Sequence, residues 1–309
     1  MIALVAALVI VLLATRSDDD EDPKPDESGT TTSGSTSGST SGSAAVSTPT
    51  DTERAEAVTF ADDAATTILA YSYQDLDRNR TEAQALMTDD FADEWGETFD
   101  AIKEQVTRSK ASVTVTSNRA ALVGIDDHAA QVLVFGEQSA TRAGKDDNVT
   151  AYSAVLTLER DDDGWLVDDL ATDEPPTGPS EPDRDRQDAL DAARSMVEAV
   201  NSIDYRTVDA DTQKVLDLAT GTFESQYADG RDNLKEAIQE TENVSKSERT
   251  TAGIELFGDD RATVLVAATA TITHASTGDS PRTQNQRLHL ELELVDNRWL
   301  VSDLRLISP

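Results

Sequence analysis

The sequence contains no cysteine among its 309 residues. This absence excludes disulfide bonds, thiolate metal sites, a cysteine nucleophile and a lipid-modified cysteine anchor. Basic residues are scarce, with 26 Lys and Arg against 60 Asp and Glu, and the formal net charge is -34 at pH 7. Nucleic acids and anionic membrane surfaces attract proteins through positive potential, so this charge argues against both classes of partner.

The sequence also lacks an apolar run long enough to cross a bilayer. Residues 2–14 are all apolar, but at about 1.5 Å per residue such a helix spans roughly 20 Å, less than the ~30 Å of a hydrocarbon core. A cleaved signal peptide fits poorly, because no basic segment precedes the run and no small-x-small site follows it. We therefore expect a truncated start, with residues 1–16 forming part of a single membrane-spanning anchor helix.

Residues 17–53 are predicted to form a disordered tether. The segment begins with an acidic stretch and continues as a run of Ser, Gly and Thr, with too few apolar side chains to offset the entropy cost of ordering. A coil of this length has a root-mean-square span of roughly 30 to 35 Å. Because the apolar run stands where a leader would, we expect the folded part to lie outside the cytoplasmic membrane.

The sequence of the folded part contains an internal repeat. Tyr73 and Asp77 reappear 132 positions later as Tyr205 and Asp209. The same offset relates a further set, Thr88, Phe91, Asp100, Lys103 and Glu104, to Thr220, Phe223, Asp232, Lys235 and Glu236. A period of this length is typical of a duplicated domain and not of a solenoid. We predict a first domain over residues 54–172, a stiff Pro-rich linker over 173–183 and a second domain over 184–309.

Each copy begins with helical periodicity and then changes to strand-like segments. Apolar residues at helical spacing predict a first helix, through Val58, Ala61, Ala65, Ile68 and Leu69 in the first copy and Leu190, Ala193, Val197 and Val200 in the second. A short helix near residues 81–87 and a third helix over 89–109 follow. Four strands are then predicted, over residues 112–124, 129–140, 150–160 and 165–170. Helices followed by an antiparallel meander define the α+β fold class.

The order of elements and two motifs carry a family resemblance. Three helices and four strands, ending in Trp-Leu-Val-x-Asp-Leu in both copies, resemble the nuclear transport factor 2-like fold, a curved sheet wrapped around a helix. The apolar run, the tether and the motifs at residues 202–209 and 220–223 resemble the mammalian-cell-entry (Mce)-associated membrane proteins of actinobacteria. The first copy has a weaker motif at residues 71–77 and no glycine equivalent to Gly221.

The resemblance implies a function. It implies an accessory subunit that stabilises Mce-type lipid-import complexes in the cell envelope, with Mce subunits or other envelope membrane proteins as partners. An alternative is a scaffold of a secretion system, since assembly proteins of such machines use the same anchored fold.

No catalytic, cofactor-binding or metal-binding residue is predicted, and we expect that the protein is not an enzyme. His128, His274 and His289 have no ligand-like spacing to one another. His289, Glu291 and Glu293 alternate with leucines and so share one face of a strand, as is typical of a solvated face. The alternative is that His289 and Glu291 line a cavity of the second domain and act in acid-base catalysis or in binding a small lipid.

Two further sets recur in both copies. Tyr73 and Asp77, with Tyr205 and Asp209, would suit a pocket, but an aspartate after a helix is predicted to cap the next one. The tryptophans that open the final strands, Trp165 and Trp299, are predicted to be buried anchors between helix and sheet. No phosphate-binding glycine loop, serine elbow or metal motif occurs in the sequence.

Overall fold

The computed structural model describes residues 48–143, 145–172, 178–274 and 280–307. The predicted anchor, residues 1–16, and most of the predicted tether lie outside these ranges. Within the described ranges, no helix combines the length and the apolar character that crossing a membrane requires.

The first half of the described chain has three helices followed by four long strands. The helices are α1 (Asp51–Leu69), α2 (Leu76–Gln84) and α3 (Asp89–Ser109), and the two-residue strand β1 (Tyr71–Ser72) lies between the first two. The long strands are β2 (Ser112–Ile125), β3 (Ala129–Arg142), β4 (Lys145–Arg160) and β5 (Trp165–Ala171).

The second half repeats this order of helices and long strands. Its helices are α4 (Arg184–Asn201), α5 (Val208–Asp217) and α6 (Gly221–Glu240), and its strands are β6 (Asn243–Phe257), β7 (Arg261–His274), β8 (Arg282–Val295) and β9 (Arg298–Leu306). In both halves the start of the third helix is hydrogen-bonded to the final strand, by Thr88 N to Val167 O at 3.0 Å and by Thr220 N to Val301 O at 2.9 Å.

The long strands form two antiparallel meanders, β2–β5 (the first sheet) and β6–β9 (the second sheet), which join through β2 and β6 into one continuous sheet. Their order is β5-β4-β3-β2-β6-β7-β8-β9, and β2 pairs with β6 at Leu122 and Ile254. Two register shifts interrupt the pairing of β2 with β3, and two interrupt that of β6 with β7. Such irregularities bend a strand and increase its twist. The predicted α+β class is confirmed, because helices pack on a curved antiparallel sheet.

Each half buries an apolar core between its first helix and its sheet. Ala61, Ala65 and Ile68 of α1 are buried in one core, and Leu190 and Ala193 of α4 are buried in the other. The alanines carry little bulk, so they permit close approach of the helix to the sheet. The apolar faces predicted from the periodicity are therefore the faces that pack.

A third apolar cluster lies between the halves. Leu133, Phe135 and Val155 of the first sheet are buried together with Leu265 of the second. Neighbours such as Val134 face the helix-packed core, and side chains alternate between the two faces of a strand. The two sheets therefore contact each other through the faces opposite their helices.

A buried ion pair joins the start of α1 to the segment that enters α4. Arg54 Nη2 lies 2.6 Å from Glu181 Oε1, and the side chains are 8% and 1% exposed. Nearby, Arg186 Nη2 lies 2.7 Å from Asp51 Oδ1, and the Arg186 guanidinium stands 4.5 Å from the ring centroid of Phe257. These contacts hold the beginnings of the two halves side by side.

The last residues of the predicted tether and of the predicted linker belong to the folded part. Helix α1 begins at Asp51, because Thr50 and Glu53 form a reciprocal capping box, so residues 51–53 belong to the helix and not to the tether. Residues 178–183, assigned to the linker, pack on the first half. There the carbonyl of Pro179 abuts Gly124, where a Cβ atom would lie 1.9 Å from that oxygen.

Two predicted elements also have different bounds. Helix α2 spans Leu76–Gln84 instead of a segment near residues 81–87. It ends at Gln84 because the residues that follow form backbone hydrogen bonds with β5, from Val167 N to Leu86 O and from Thr88 N to Val167 O. Strand β4 begins at Lys145 instead of residue 150, because the ladder with β3 continues towards the hairpin through the pair of Asn148 with Ala140.

The contact between β2 and β6 predicts a glycine requirement. A Cβ atom at Gly253 would lie 2.7 Å from the carbonyl oxygen of Ala121, so we expect Gly253→Ala to lower the free energy of unfolding by about 1–3 kcal/mol. Gly230 in α6 has open space around its Cβ position, and Gly230→Ala should raise that free energy by about 0.5–1 kcal/mol. Urea unfolding followed by circular dichroism measures both. A Gly253→Ala variant with an unchanged free energy of unfolding would contradict the tight contact.

The buried ion pair predicts a large effect of single substitutions. Arg54→Met leaves Glu181 buried without its charge partner, and we expect it to cost about 3–5 kcal/mol of unfolding free energy. Replacing both residues by methionine should recover much of that loss. As a control, Arg78→Met breaks an exposed pair with Glu82 and should change stability by less than ~1 kcal/mol. Equal effects at the two sites, measured by urea unfolding, would refute a stabilising role for the buried pair.

Candidate functional site

The third helices of the two halves differ in how much apolar surface they bury. Helix α3 buries a full stripe, consisting of Phe91, Trp95, Phe99, Ile102 and Val106. Helix α6 buries Ile238 alone among its described side chains. Its other apolar stripe residues, Phe223, Tyr227 and Leu234, are only partly buried. We call Phe223, Tyr227 and Leu234 the α6 face.

One substitution between the copies accounts for much of this difference. In α3, Phe99 stacks on Trp95 with ring centroids 4.7 Å apart. At the 132 offset Phe99 corresponds to Arg231, whose Nε donates to Thr212 Oγ1 at 2.9 Å and whose Nη2 donates to Asp209 O at 2.8 Å. A guanidinium must keep its polar partners, so α6 contacts α5 through polar groups and leaves the α6 face partly open.

The rings of the α6 face lie against each other. The centroids of Phe223 and Tyr227 are 5.8 Å apart. The Tyr227 hydroxyl has no hydrogen-bond partner in the described part of the chain, and burial raises the pKa of this phenol. The face therefore consists of aromatic and aliphatic groups with one polar atom unsatisfied.

The start of α6 depends on a glycine. Gly221 has a φ of +58°, in the left-handed region that side chains with a Cβ atom seldom adopt. Thr220 makes no side-chain cap, whereas Thr88 in the first half accepts a hydrogen bond from Phe91 N. The motif at residues 220–223 thus fixes how the chain turns from the contact with β9 into α6.

Asp77 and Asp209 do not cap the helices that follow them, so the capping prediction is wrong. Each lies in the first turn of the second helix of its half. Asp77 pairs with Lys103 and Asp209 pairs with Lys235, because the first turn of the second helix faces the third helix. The lysine hydrogen bond is the main cause that lowers the pKa of each carboxyl group.

The recurrent tyrosines have equivalent backbone contacts. Tyr73 N donates to Ala111 O at 3.1 Å and Tyr205 N donates to Asn243 O at 3.0 Å. Tyr205 packs at the edge of a small cluster of Ile203, Val208 and Ile238.

His289 lies at the seam between the halves. Its neighbours Leu288 and Leu290 are buried in the core under α4, so His289 points to the opposite face of β8. There His289 Nε2 lies 3.6 Å from Glu255 Oε2, and Arg119 Nη1 donates to both Glu255 carboxylate oxygens at 2.8 Å.

Glu291 and Glu293 have other partners. Glu291 is half exposed and lies 3.9 Å from Arg305, and Glu293 lies 3.4 Å from Arg261. The alternative hypothesis placed His289 and Glu291 in a cavity of the second domain. Neither side chain enters the helix-covered interior of the second half.

The remaining histidines lie next to the ends of strands. His128 is exposed in the turn before β3, and His274 ends β7. Over the described ranges, no group of three or more His, Asp or Glu side chains is arranged to hold a metal ion. Trp165 and Trp299 are buried as predicted, at 8% and 7% exposure.

Comparison with known proteins finds a matching family model and two mycobacterial relatives. A family model described as "Uncharacterized protein Rv1363c/MT1408-like" matches residues 180–296. The outer membrane protein Rv1973 of Mycobacterium tuberculosis strain ATCC 25618 / H37Rv is 32% identical over 116 residues, which are 37% of this chain and 72% of the relative. The outer membrane protein MT2024.1 of strain CDC 1551 / Oshkosh matches equally. The chain belongs to the family of these mycobacterial envelope proteins.

Solved structures with similar architecture are more distant. An Ntf2-like protein involved in plasmid conjugation is 15% identical, with a TM-score of 0.30, over 82% of this chain and 97% of its own. The VirB8 protein of Agrobacterium tumefaciens is 9% identical, with a TM-score of 0.33, over 43% and 99% of the two chains. Similarity of this strength says nothing about function.

The sequence analysis did not predict the open α6 face, although the sequence contains a signal for it. Aligning the two copies at the 132 offset places Arg231 opposite Phe99. A charged residue in the middle of an otherwise apolar stripe marks a helix that cannot close fully onto its core.

The ion pair of Asp209 predicts a change in its titration. In Lys235→Met the carboxyl group loses its main partner, and the pKa of Asp209 should rise towards its ordinary value of 3.8. Because the folded pKa is depressed, the pair stabilises the fold above the unfolded pKa and loses this effect as pH falls through the folded pKa. The pKa of Asp209 is measured from the NMR chemical shift of its carboxyl carbon as a function of pH. Lys214→Met, which removes the partner of Asp211, is the control; an unchanged Asp209 pKa in Lys235→Met would contradict the pairing.

Proposed function

We propose that the protein is a non-enzymatic scaffold of the cell envelope that stabilises an Mce-type lipid-import complex. In this proposal residues 1–16 anchor it in the membrane and the α6 face binds another subunit. The observation that carries the proposal is that the family match falls on the half whose third helix leaves its apolar face partly open.

The composition of the α6 face supports a role in protein contact. Aromatic residues supply much of the binding energy at protein interfaces, where they sit in a centre surrounded by polar groups. Phe223 and Tyr227 provide such a centre, and the exposed Glu224 lies beside Phe223. We therefore expect the partner surface to be apolar, with a basic group facing Glu224.

The motif shared with Mce-associated proteins underlies the α6 face. Ile203 and Val208 are buried with Ile238, and Tyr205 and Leu234 pack at the edge of the same cluster. Residues 202–209 thus support the C-terminal part of α6, and Gly221 sets its beginning. In this proposal the motif acts by holding α6 in place for contact with the partner subunit.

The first half has a supporting role in this proposal. Its third helix closes onto its own core through Trp95 and Phe99, so it offers no equivalent face. Its sheet packs against the sheet of the second half. The first half would then set the distance of the α6 face from the membrane anchor.

The test is site-specific crosslinking in native membranes of the producing organism. A photoreactive phenylalanine analogue at Phe223 should crosslink Mce substrate-binding or permease subunits, because Phe223 is an aromatic residue of the α6 face whose ring carries no buried hydroxyl. The same analogue at Asp229, which is exposed on the other side of α6, serves as the matched control and should capture none of them. The crosslinked proteins are identified by mass spectrometry.

Three outcomes would count against the proposal. Secretion-system components captured at residue 223 would favour the alternative scaffold. Equal capture at residues 223 and 229 would remove the α6 face as the contact surface. Isolation of the chain without any crosslinked protein would contradict a scaffold role.

A further inference from the structure

A cavity of 520 Å³ lies between the two halves. It is lined by the end of α1 and by β3, β4 and β5 from the first half, and by β6 to β9 and Ile307 from the second. Its volume falls within the range of small-molecule sites, roughly 300–1,000 Å³. The cavity adjoins the third apolar cluster, since Leu133 and Val155 belong to both.

One part of the cavity wall is apolar. Leu133 and Val155 contribute from the first sheet, and Ala267 and Ile307 contribute from the second half. Leu133, Val155 and Ala267 lie on strands whose positions are set by the cores, so most of the apolar wall does not depend on a loop. It can take up a hydrocarbon group with little rearrangement.

The wall also carries positive charge. Two arginines, Arg249 and Arg287, line it together with the amide side chain of Asn285. None of the described residues that line the cavity is Asp or Glu, although about one residue in five of this chain is acidic. The cavity is therefore a positive site in a strongly negative protein.

The two arginines face the same side of the sheet. Arg249 pairs across strands with Thr269, and Thr269 pairs with Asn285, which lies two residues from Arg287 on β8. Residues two apart on a strand share a face. The arginines stand two strands apart, about 10 Å in the hydrogen-bonding direction, so their long side chains can approach one anionic group.

Neither arginine forms an ion pair with a carboxylate of the described residues. Arg287 donates to backbone carbonyls, from Nη1 to Gly136 O at 3.3 Å and from Nη2 to Ile307 O at 3.5 Å. Burial lowers the pKa of Arg287, and the nearby charge of Glu137 acts in the opposite direction. By contrast, Arg119 at the seam is fully paired with Glu255.

A partly desolvated guanidinium without an anionic partner is unfavourable, and a bound carboxylate or phosphate would satisfy it through charge-assisted hydrogen bonds. We propose that the cavity binds an anionic amphiphile, with its apolar chain against Leu133, Val155 and Ile307 and its carboxylate or phosphate group at Arg249 and Arg287. This site lies apart from the α6 face, and the inference does not rest on the proposed function.

The experiment uses the full chain in phosphatidylcholine nanodiscs and a dodecanoic acid probe that carries a photoreactive diazirine on its chain. Mass spectrometry should place the label on residues 150–155 or on Leu306 and Ile307, which line the cavity. Excess dodecanoate or dodecyl phosphate should remove the label, and the neutral dodecanol should compete at least tenfold less well. Whichever anion competes at the lower concentration identifies the head group as carboxylate or phosphate.

Arg249→Gln is the decisive variant, because Arg249 makes no described ion pair and its loss should leave the fold intact. We expect it to reduce cavity labelling at least fivefold, with an unchanged circular dichroism spectrum. The matched control is Arg298→Gln, an exposed arginine on β9 whose Nη2 donates to Asp217 O; its labelling should equal that of the unaltered chain. Label confined to other residues, equal competition by dodecanol, or full labelling of Arg249→Gln would each overturn the proposal.

Discussion

The buried pair of Arg54 and Glu181 is the constraint on which the relation of the two halves depends. These residues are 127 positions apart in the chain, and their 2.6 Å contact brings the start of the first helix to the segment that enters the second half. The carbonyl of Pro179 then runs against Gly124 of β2, where only a hydrogen atom fits. With this segment held down, β6 can pair with β2 at Leu122 and Ile254, and the two sheets can contact each other through the faces opposite their helices. The apolar cluster, the seam ion pair of Arg119 with Glu255 and the cavity with Arg249 and Arg287 all follow from this arrangement.

The two halves show how copies with one pattern can acquire different surfaces. Both use an ion pair between the second and third helices, Asp77 with Lys103 and Asp209 with Lys235, and both tie the third helix to the final strand through a threonine amide. The shared contacts are backbone bonds or pairs that the repeat preserves. The difference lies in the apolar stripe, where Phe99 can be buried and Arg231 cannot, because a guanidinium loses more by desolvation than it gains from packing. One half therefore closes on itself and the other keeps a partly open face.

Two surfaces of the protein therefore carry side chains suited to binding another molecule. The α6 face is apolar and aromatic, which suits another protein. The cavity between the halves is lined by apolar side chains and two arginines, which suits an amphiphile with a negative head. They are built from different elements, the former from one helix of the second half and the latter from strands of both halves, so they can work independently.

The sequence by itself determined the α+β class, the order of elements and the apolar helix faces, because these depend on local periodicity. Helix α3 was predicted with its observed bounds, since Thr88 and the apolar stripe are local signals, and three of the four predicted strands of the first half end within two residues of the observed bounds at both ends. The ends of α1 and α2 were less predictable, since a capping box and a bond to Val167 decide them. Only the tertiary structure decided that Arg54 meets Glu181, that β2 pairs with β6, that His289 faces Glu255, and that two arginines share one cavity. Each of these contacts joins residues far apart in the chain, and their proximity depends on how whole sheets pack, which no local pattern encodes.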